Sequence, residues 1–227
     1  MKIGILQTGH APEEIITSRG DFDAHFRRLL DGHGFDFVTY NVVDMQFPDA
    51  ITDCDGWLVT GSKHGAYEDH PFIPPLEVLI RDIYDADVPM VGVCFGHQII
   101  AQALGGKVEK FPKGWAVGRR EYDWQGGSIA LNAWHQDQVT QRPVDATVVA
   151  SNDFCENAAL VYGKRAFTVQ PHPEFDATFV EGLATHRGPG VVPDTQLAEV
   201  RENLPRPIDN GQVADQIARF FKERVVA

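Results

Sequence analysis

Cysteine is scarce in this chain. Cys54, Cys94 and Cys155 are the only three in 227 residues, too few and too scattered for a disulfide framework. Free thiols of this kind persist in a reducing compartment, so a cytoplasmic location is expected. Neither Cys-x-x-Cys nor His-Glu-x-x-His occurs, and no metal centre or cofactor is expected from spacing. Positive charge is also in deficit. Lys and Arg number 20 against 32 Asp and Glu, a net charge of −12 with no basic run. That argues against nucleic acid or an anionic membrane surface as partner, because both require clustered cations. No apolar run approaches the roughly 20 residues that cross a bilayer. The opening Met1-Lys2-Ile3-Gly4-Ile5-Leu6-Gln7 enters a strand pattern at once, without the features of a secretory leader. Repeats, low-complexity tracts and linkers are absent as well, so one domain over residues 1–227 is expected.

What is present is the alternation of an α/β protein. Residues 2–7 read as a buried strand and residues 8–18 as a loop. Phe22, Phe26, Leu29 and Leu30 fall at helical spacing and predict a helix over 21–31. Strands follow at 35–42 and 55–60. Leu76, Leu79, Ile80, Ile83 and Tyr84 mark the next helix, and a strand runs over 90–93. Helices alternating with apolar strands imply a mostly parallel sheet covered on both faces. After Gly106 the pattern changes to short β runs broken by Gly, Pro and Asn, at 108–110, 116–124, 128–131 and 147–151. These predict antiparallel strands at the sheet edge. Two more short strands, 160–162 and 166–170, lead to Pro171-His172-Pro173-Glu174. A helix at 177–183 and a final amphipathic helix bearing Val213, Ile217, Phe220 and Phe221 complete the pattern.

The chain is organised around residues 91–106, where a strand ends and a helix begins at Cys94, with Gly92 two before it and Gly96 two after. A sharp strand-to-helix turn crowds the backbone, so side chains two residues to either side must be absent. The turn places the sulfur at a helix N-terminus, whose partial positive charge favours the nucleophilic thiolate. By itself the pattern also fits a buried structural cysteine. The second segment is Gln170-Pro171-His172-Pro173-Glu174. Residues two apart in an extended chain point to one side, so Glu174 is placed to orient the His172 imidazole. Prolines at 171 and 173 put this segment beyond a strand's end. In open parallel sheets the carboxyl ends of the strands are where ligands bind. A nucleophile, a base and an orienting carboxylate thus converge on one edge, the logic of covalent acyl transfer.

Gly-Val-Cys-Phe-Gly-His-Gln, followed by Gln-Pro-His-Pro-Glu, resembles the class I, triad-type glutamine amidotransferase family, from the first strand to about Phe175. Trp134-His135-Gln136-Asp137-Gln138-Val139 resembles the His-x-Asp-x-Val segment of the subgroup holding the guanylate synthase glutaminase domain and free-standing γ-glutamyl peptidases. The resemblance implies a flavodoxin-like three-layer fold, with Cys94 as nucleophile, His172 as acid and base, and Glu174 as its partner. It implies oxyanion donors at the Phe95 backbone and in the loop at Gly61, and a glutamyl-binding role for Gln98. A rival reading makes Gln98 an exposed helix residue. His97 is expected to pack or hydrogen-bond within the fold. His135 and Asp137 are expected either to tie a loop or to border the substrate pocket. Cys54 and Cys155 are expected to be bystanders. The chain departs from many relatives after the third strand, with Gly61-Ser62-Lys63-His64-Gly65 in place of Gly-Gly-Pro.

The implied chemistry is hydrolysis of a small γ-glutamyl amide through a thioester on Cys94, without a cofactor. Two settings are open for it. A glutaminase delivering ammonia would need a separate synthetase subunit, because no Ser-Gly-Gly-x-Asp-Ser or Walker-type loop is present to activate an acceptor with ATP. A free-standing γ-glutamyl hydrolase would need no partner, and the substituted loop with no fused synthetase favours it. A catalytically silent binding scaffold is the third alternative, disfavoured by the complete set of reactive residue types.

Overall fold

The computed structural model describes residues 1–226. In chain order the elements begin β1 (Lys2–Leu6), α1 (Glu13–Arg19), α2 (Phe22–Leu29), β2 (Asp36–Tyr40), β3 (Gly56–Val59), α3 (Ile73–Asp85), β4 (Met90–Val93) and α4 (Phe95–Ala103). They continue as β5 (Lys107–Lys110), β6 (Ala116–Trp124), β7 (Gly127–His135), β8 (Asp137–Gln141), β9 (Thr147–Ser151), β10 (Ala159–Tyr162) and β11 (Ala166–Val169). Three helices follow, α5 (Ala177–His186), α6 (Asp194–Asn203) and α7 (Asn210–Glu223).

Nine strands form one sheet in the order β2-β1-β3-β4-β11-β10-β9-β6-β7. From β2 to β11 every pairing is parallel, and the sequence 2-1-3-4 followed by β11 is the flavodoxin-like order. Pairing becomes antiparallel from β10 onward. Alternation along the parallel strands sends side chains to two faces. Ile3, Ile5, Leu58, Val91 and Val93 meet Phe26 of α2 and Val213, Ile217, Phe220 and Phe221 of α7. Leu6, Trp57, Val59 and Met90 meet Leu76, Ile80 and Ile83 of α3 and Ile99 and Ile100 of α4. The result is three layers, helix, sheet and helix. A third apolar cluster joins Ile15 of α1, Phe179 and Leu183 of α5, and Leu197 and Val200 of α6 with Val117 and Trp134.

The observed fold is thus the expected α/β sandwich, with an antiparallel extension at one sheet edge. Three local expectations need correction. Residues 8–18 are not wholly loop, because Glu13–Arg19 forms α1, a short helix with Ile15 as its one buried residue. The strand β8 was not anticipated. It pairs antiparallel with β5 in a separate two-stranded sheet, so residues 107–110 do not lie at the edge of the main one. Helix α6 was also unforeseen. Only Leu197 and Val200 are buried on it, too few apolar positions for a visible helical period.

Candidate active site

The local architecture around Cys94 follows from close approach of backbones. A Cβ on Gly92 would stand 2.5 Å from the Gly96 carbonyl oxygen, and one on Gly96 would stand 2.2 Å from that of Val59. Glycine is therefore required at both positions. The Gly96 N–H donates to the Thr60 carbonyl at 3.0 Å, pinning the start of α4 to the end of β3. Cys94 itself has φ 53° and ψ −103°, a conformation that L-residues rarely adopt and that tends to mark functional turns.

Sheet register explains why residues 94 and 172 meet. Val93 pairs with Val169 across β4 and β11, and the Cys94 N–H donates to the Val169 carbonyl at 2.9 Å. Both chains leave the sheet at the same carboxyl edge. The segment after β11 is then held by the His172 N–H, which donates to the Asn132 carbonyl of β7 at 2.8 Å. The Asn132 side chain donates to the Phe175 carbonyl at 3.0 Å.

His172 Nδ1 lies 2.7 Å from Glu174 Oε1. A carboxylate accepts, so Nδ1 carries the proton, and Cys94 stands near enough to the imidazole to act on its charge. Both side chains are withdrawn from solvent, at 4% and 0% exposure. Burial by itself lowers the His172 pKa. The charges of Glu174 and Cys94 and the hydrogen bonds to both outweigh it, and the pKa is raised. Imidazolium is therefore favoured here. A Cβ on Gly61 would lie 3.1 Å from His172 Cε1 and 3.7 Å from Cys94 Cβ, so the loop after β3 closes against the same pair. Among the described residues, neither the Gly61 nor the Phe95 backbone N–H is donated to another group of the protein.

Cys94 is 5% exposed and opens on a cavity of about 310 Å³, whose wall includes Ser62, Gln98, Trp134, His135, Asp137 and Arg187. Gln98 is buried, which removes the exposed-residue alternative. Its Nε2 donates to the Asp137 carbonyl at 2.9 Å and to Gln170 Oε1 at 3.1 Å. His97 is fully buried, with Nδ1 2.8 Å from Thr168 Oγ1, and it packs within the fold. The tie expected between His135 and Asp137 is present. His135 Nδ1 is 3.2 Å from the Asp137 carbonyl, and both residues border the cavity. Cys54 and Cys155 are free and buried, and neither borders the Cys94 cavity.

Two features escaped the sequence reading. Arg187 borders the cavity, and burial lowers its pKa, with no carboxylate among the described residues acting on it. No local motif announces an arginine just past a helix. His64, Glu68 and His70 gather on the segment after β3, and their His-x₃-Glu-x-His spacing was legible as a candidate donor set. Among the described residues no helix is long and apolar enough to cross a membrane.

A model of the glutamine amidotransferase class-I family matches residues 34–181. The chain is 32% identical to γ-glutamyl peptidase 3 of Arabidopsis thaliana, over 60% of this chain and 62% of that protein. It is 32% identical to a glutamine-hydrolyzing GMP synthase subunit of Halobacterium salinarum, over 70% of this chain and 87% of that one. In three dimensions it resembles the crystal structure of a glutamine amido transferase from Methylobacillus flagellatus. The TM-score is 0.73 at 23% identity, covering 99% of this chain and 92% of that one, a likeness of fold.

Proposed function

Because the chain belongs to the glutamine amidotransferase class-I family, we propose that it is a free-standing hydrolase of γ-glutamyl amides that works through a thioester on Cys94. The observation that carries this reading is the His172 imidazole, buried with Nδ1 held by Glu174 and standing with Cys94 against the Gly61 backbone. The Cys94 thiolate attacks the δ-carbonyl carbon of the γ-glutamyl group. The resulting oxyanion is received by the Phe95 and Gly61 N–H groups, each such donor being worth about 10²–10³ in rate. His172 gives its proton to the leaving amine as the C–N bond breaks. The neutral imidazole then takes a proton from water, whose oxygen displaces sulfur and releases glutamate.

Substrate recognition follows from the cavity wall. The uncompensated Arg187 guanidinium suits a substrate carboxylate, and Gln98 Oε1 suits the α-ammonium of the glutamyl moiety. The similarity to γ-glutamyl peptidase 3 supports a free-standing enzyme. The similarity to part of a GMP synthase supports a second setting, in which a synthetase partner receives the ammonia.

Two measurements test the proposal. A glutamine-like diazo-ketone should add its mass to Cys94 in the intact protein, and the Cys94→Ala variant should stay unlabelled. The purified chain should then turn over members of a γ-glutamyl amide, amine and dipeptide panel. Labelling without turnover by the isolated chain would move the assignment to the partner-dependent glutaminase, and no labelling at all would remove the enzyme.

A further inference from the structure

Apart from the Cys94–His172–Glu174 group, one cluster of donor atoms among the described residues has coordination chemistry of its own. His64, Glu68 and His70 stand on the segment between β3 and α3, and each offers one ligand atom such that all three lie within 4.8 Å of one another. His70 Nε2 is 2.9 Å and His64 Nδ1 is 4.0 Å from Glu68 Oε2. Donors bound tetrahedrally at about 2.0–2.1 Å stand roughly 3.4 Å apart. The two measured separations bracket that value, so an ion could be seated by small side-chain adjustments.

The donors are also held in place. The Gly65 N–H donates to Glu68 Oε2 at 3.0 Å, the kind of supporting hydrogen bond that orients a ligand carboxylate. The two imidazole centroids are 4.0 Å apart. Each ring packs on Phe72, His70 at 5.9 Å and His64 at 5.8 Å, and Phe72 is itself buried. These histidines are braced against the core, whereas ordinary surface histidines sample many rotamers.

We propose that His64, Glu68 and His70 form a binding site for a divalent transition-metal ion of the zinc class, at the rim of the cavity that holds Cys94. Two imidazole nitrogens and one carboxylate oxygen suit Zn²⁺, Co²⁺, Ni²⁺ or Cu²⁺ better than Mg²⁺ or Ca²⁺. Three protein ligands leave at least one coordination position for water or an exogenous group. His64 and Glu68 both line the cavity, so a bound ion would set positive charge into its wall and could accept a carboxylate or amine from a molecule bound there. The assignment goes beyond the proposed hydrolysis and does not require it.

The test is Co²⁺ titration of the metal-stripped, full-length Cys94→Ser protein, followed by calorimetry and by visible absorption. The serine removes the one cysteine sulfur that opens on the cavity. The expected result is one ion per chain, with ligand-field bands and no thiolate-to-cobalt charge-transfer band. His70→Gln should weaken binding at least about tenfold, and His64→Gln/His70→Gln should abolish it. Zn²⁺ should raise the melting temperature of the parent and raise that of His70→Gln by less. His70 is partly exposed, so the single variant decides the matter if the double variant fails to fold. Absence of binding, affinity unchanged in His70→Gln, or a thiolate charge-transfer band would overturn the proposal.

Discussion

The His172 imidazole lies flat on the Phe175 ring, with centroids 3.8 Å apart and planes only 4° from parallel. Phe175 is in turn stacked on Phe179 of α5 at 4.1 Å. The plane of the imidazole is thus set from one side by an aromatic stack and from its edge by Glu174. Phe175→Leu keeps a buried apolar side chain and removes the flat support. The expected outcome is a fall in kcat of about ten- to a hundredfold with KM nearly unchanged, the signature of a misplaced catalytic group. Steady-state kinetics on the best γ-glutamyl substrate checks it. A rise in KM at constant kcat would place Phe175 in substrate binding instead.

Two glycines near the site should respond in opposite ways to the same substitution. Gly61→Ala puts a methyl group 3.1 Å from His172 Cε1, a side chain that can yield by a few tenths of an ångström. Activity should fall at least tenfold while stability changes by less than about 1 kcal/mol. Gly96→Ala drives its methyl to 2.2 Å from a carbonyl oxygen of β3, which cannot yield without breaking the turn. It should cost about 3 kcal/mol or more. Urea unfolding and specific activity, measured on both variants, separate the two effects.

The same residues show what the sequence could convey. Glycine at 92 and 96 is a short-range signature of a tight turn, and the turn is where Cys94 sits. The parallel strands were legible as short apolar runs, helped by the clear period of α2 and α3. The meeting of residues 94 and 172 could be expected from strand-end logic, but its cause, the Val93–Val169 pairing, is a long-range register. Helix α6 and strand β8 were hidden because they bury few apolar side chains. Arg187 reaches the cavity by tertiary placement alone.

Arg187 tests the substrate side of the proposal. Its guanidinium is partly desolvated, and among the described residues no carboxylate acts on it, so truncation leaves no protein anion stranded. Arg187→Gln should therefore be tolerated by the fold. It should raise KM for carboxylate-bearing γ-glutamyl substrates by about tenfold or more, the scale of one lost charge-assisted hydrogen bond. For a substrate analogue lacking the carboxylate, the variant and parent should differ little. Equal effects on both substrates would show that the carboxylate is bound elsewhere.

Acid should weaken the fold through three histidines. Burial lowers the pKa of His97 and His135 to about 3 and that of His25 to about 4, against 6.5 for a free imidazole. Nearby positive charge adds to the effect at two of them, His172 acting on His135 and Arg28 on His25. All three remain neutral in the folded chain, whereas the unfolded chain takes up protons below pH 6.5. Stability is therefore full above that pH and declines as pH falls toward 4 and then 3, by about 1.4 kcal/mol per pH unit for each histidine. His172 works in the opposite sense. Its raised pKa stabilises the fold below pH 6.5, and that contribution is lost as pH rises through the folded value. In urea titrations between pH 7 and 4, His97→Gln should flatten the slope by about one proton's worth. An unchanged slope would mean that His97 titrates freely.

Cys94 offers the sharpest separation of stability from activity. Its φ of 53° with ψ of −103° lies outside the regions open to L-residues, a cost of about 1–3 kcal/mol that the surrounding sheet and helix must hold in place. Glycine adopts this conformation without penalty. Cys94→Gly should therefore be more stable than Cys94→Ala by about 1–2 kcal/mol, although it buries less apolar surface. Both should lack thioester chemistry entirely. Differential unfolding of the two variants under identical conditions is the measurement, because comparison with alanine cancels loss of the sulfur. If alanine proves equal to glycine or better, the turn is relaxed, and the exposure of the thiol must be credited to the glycines at 92 and 96 alone.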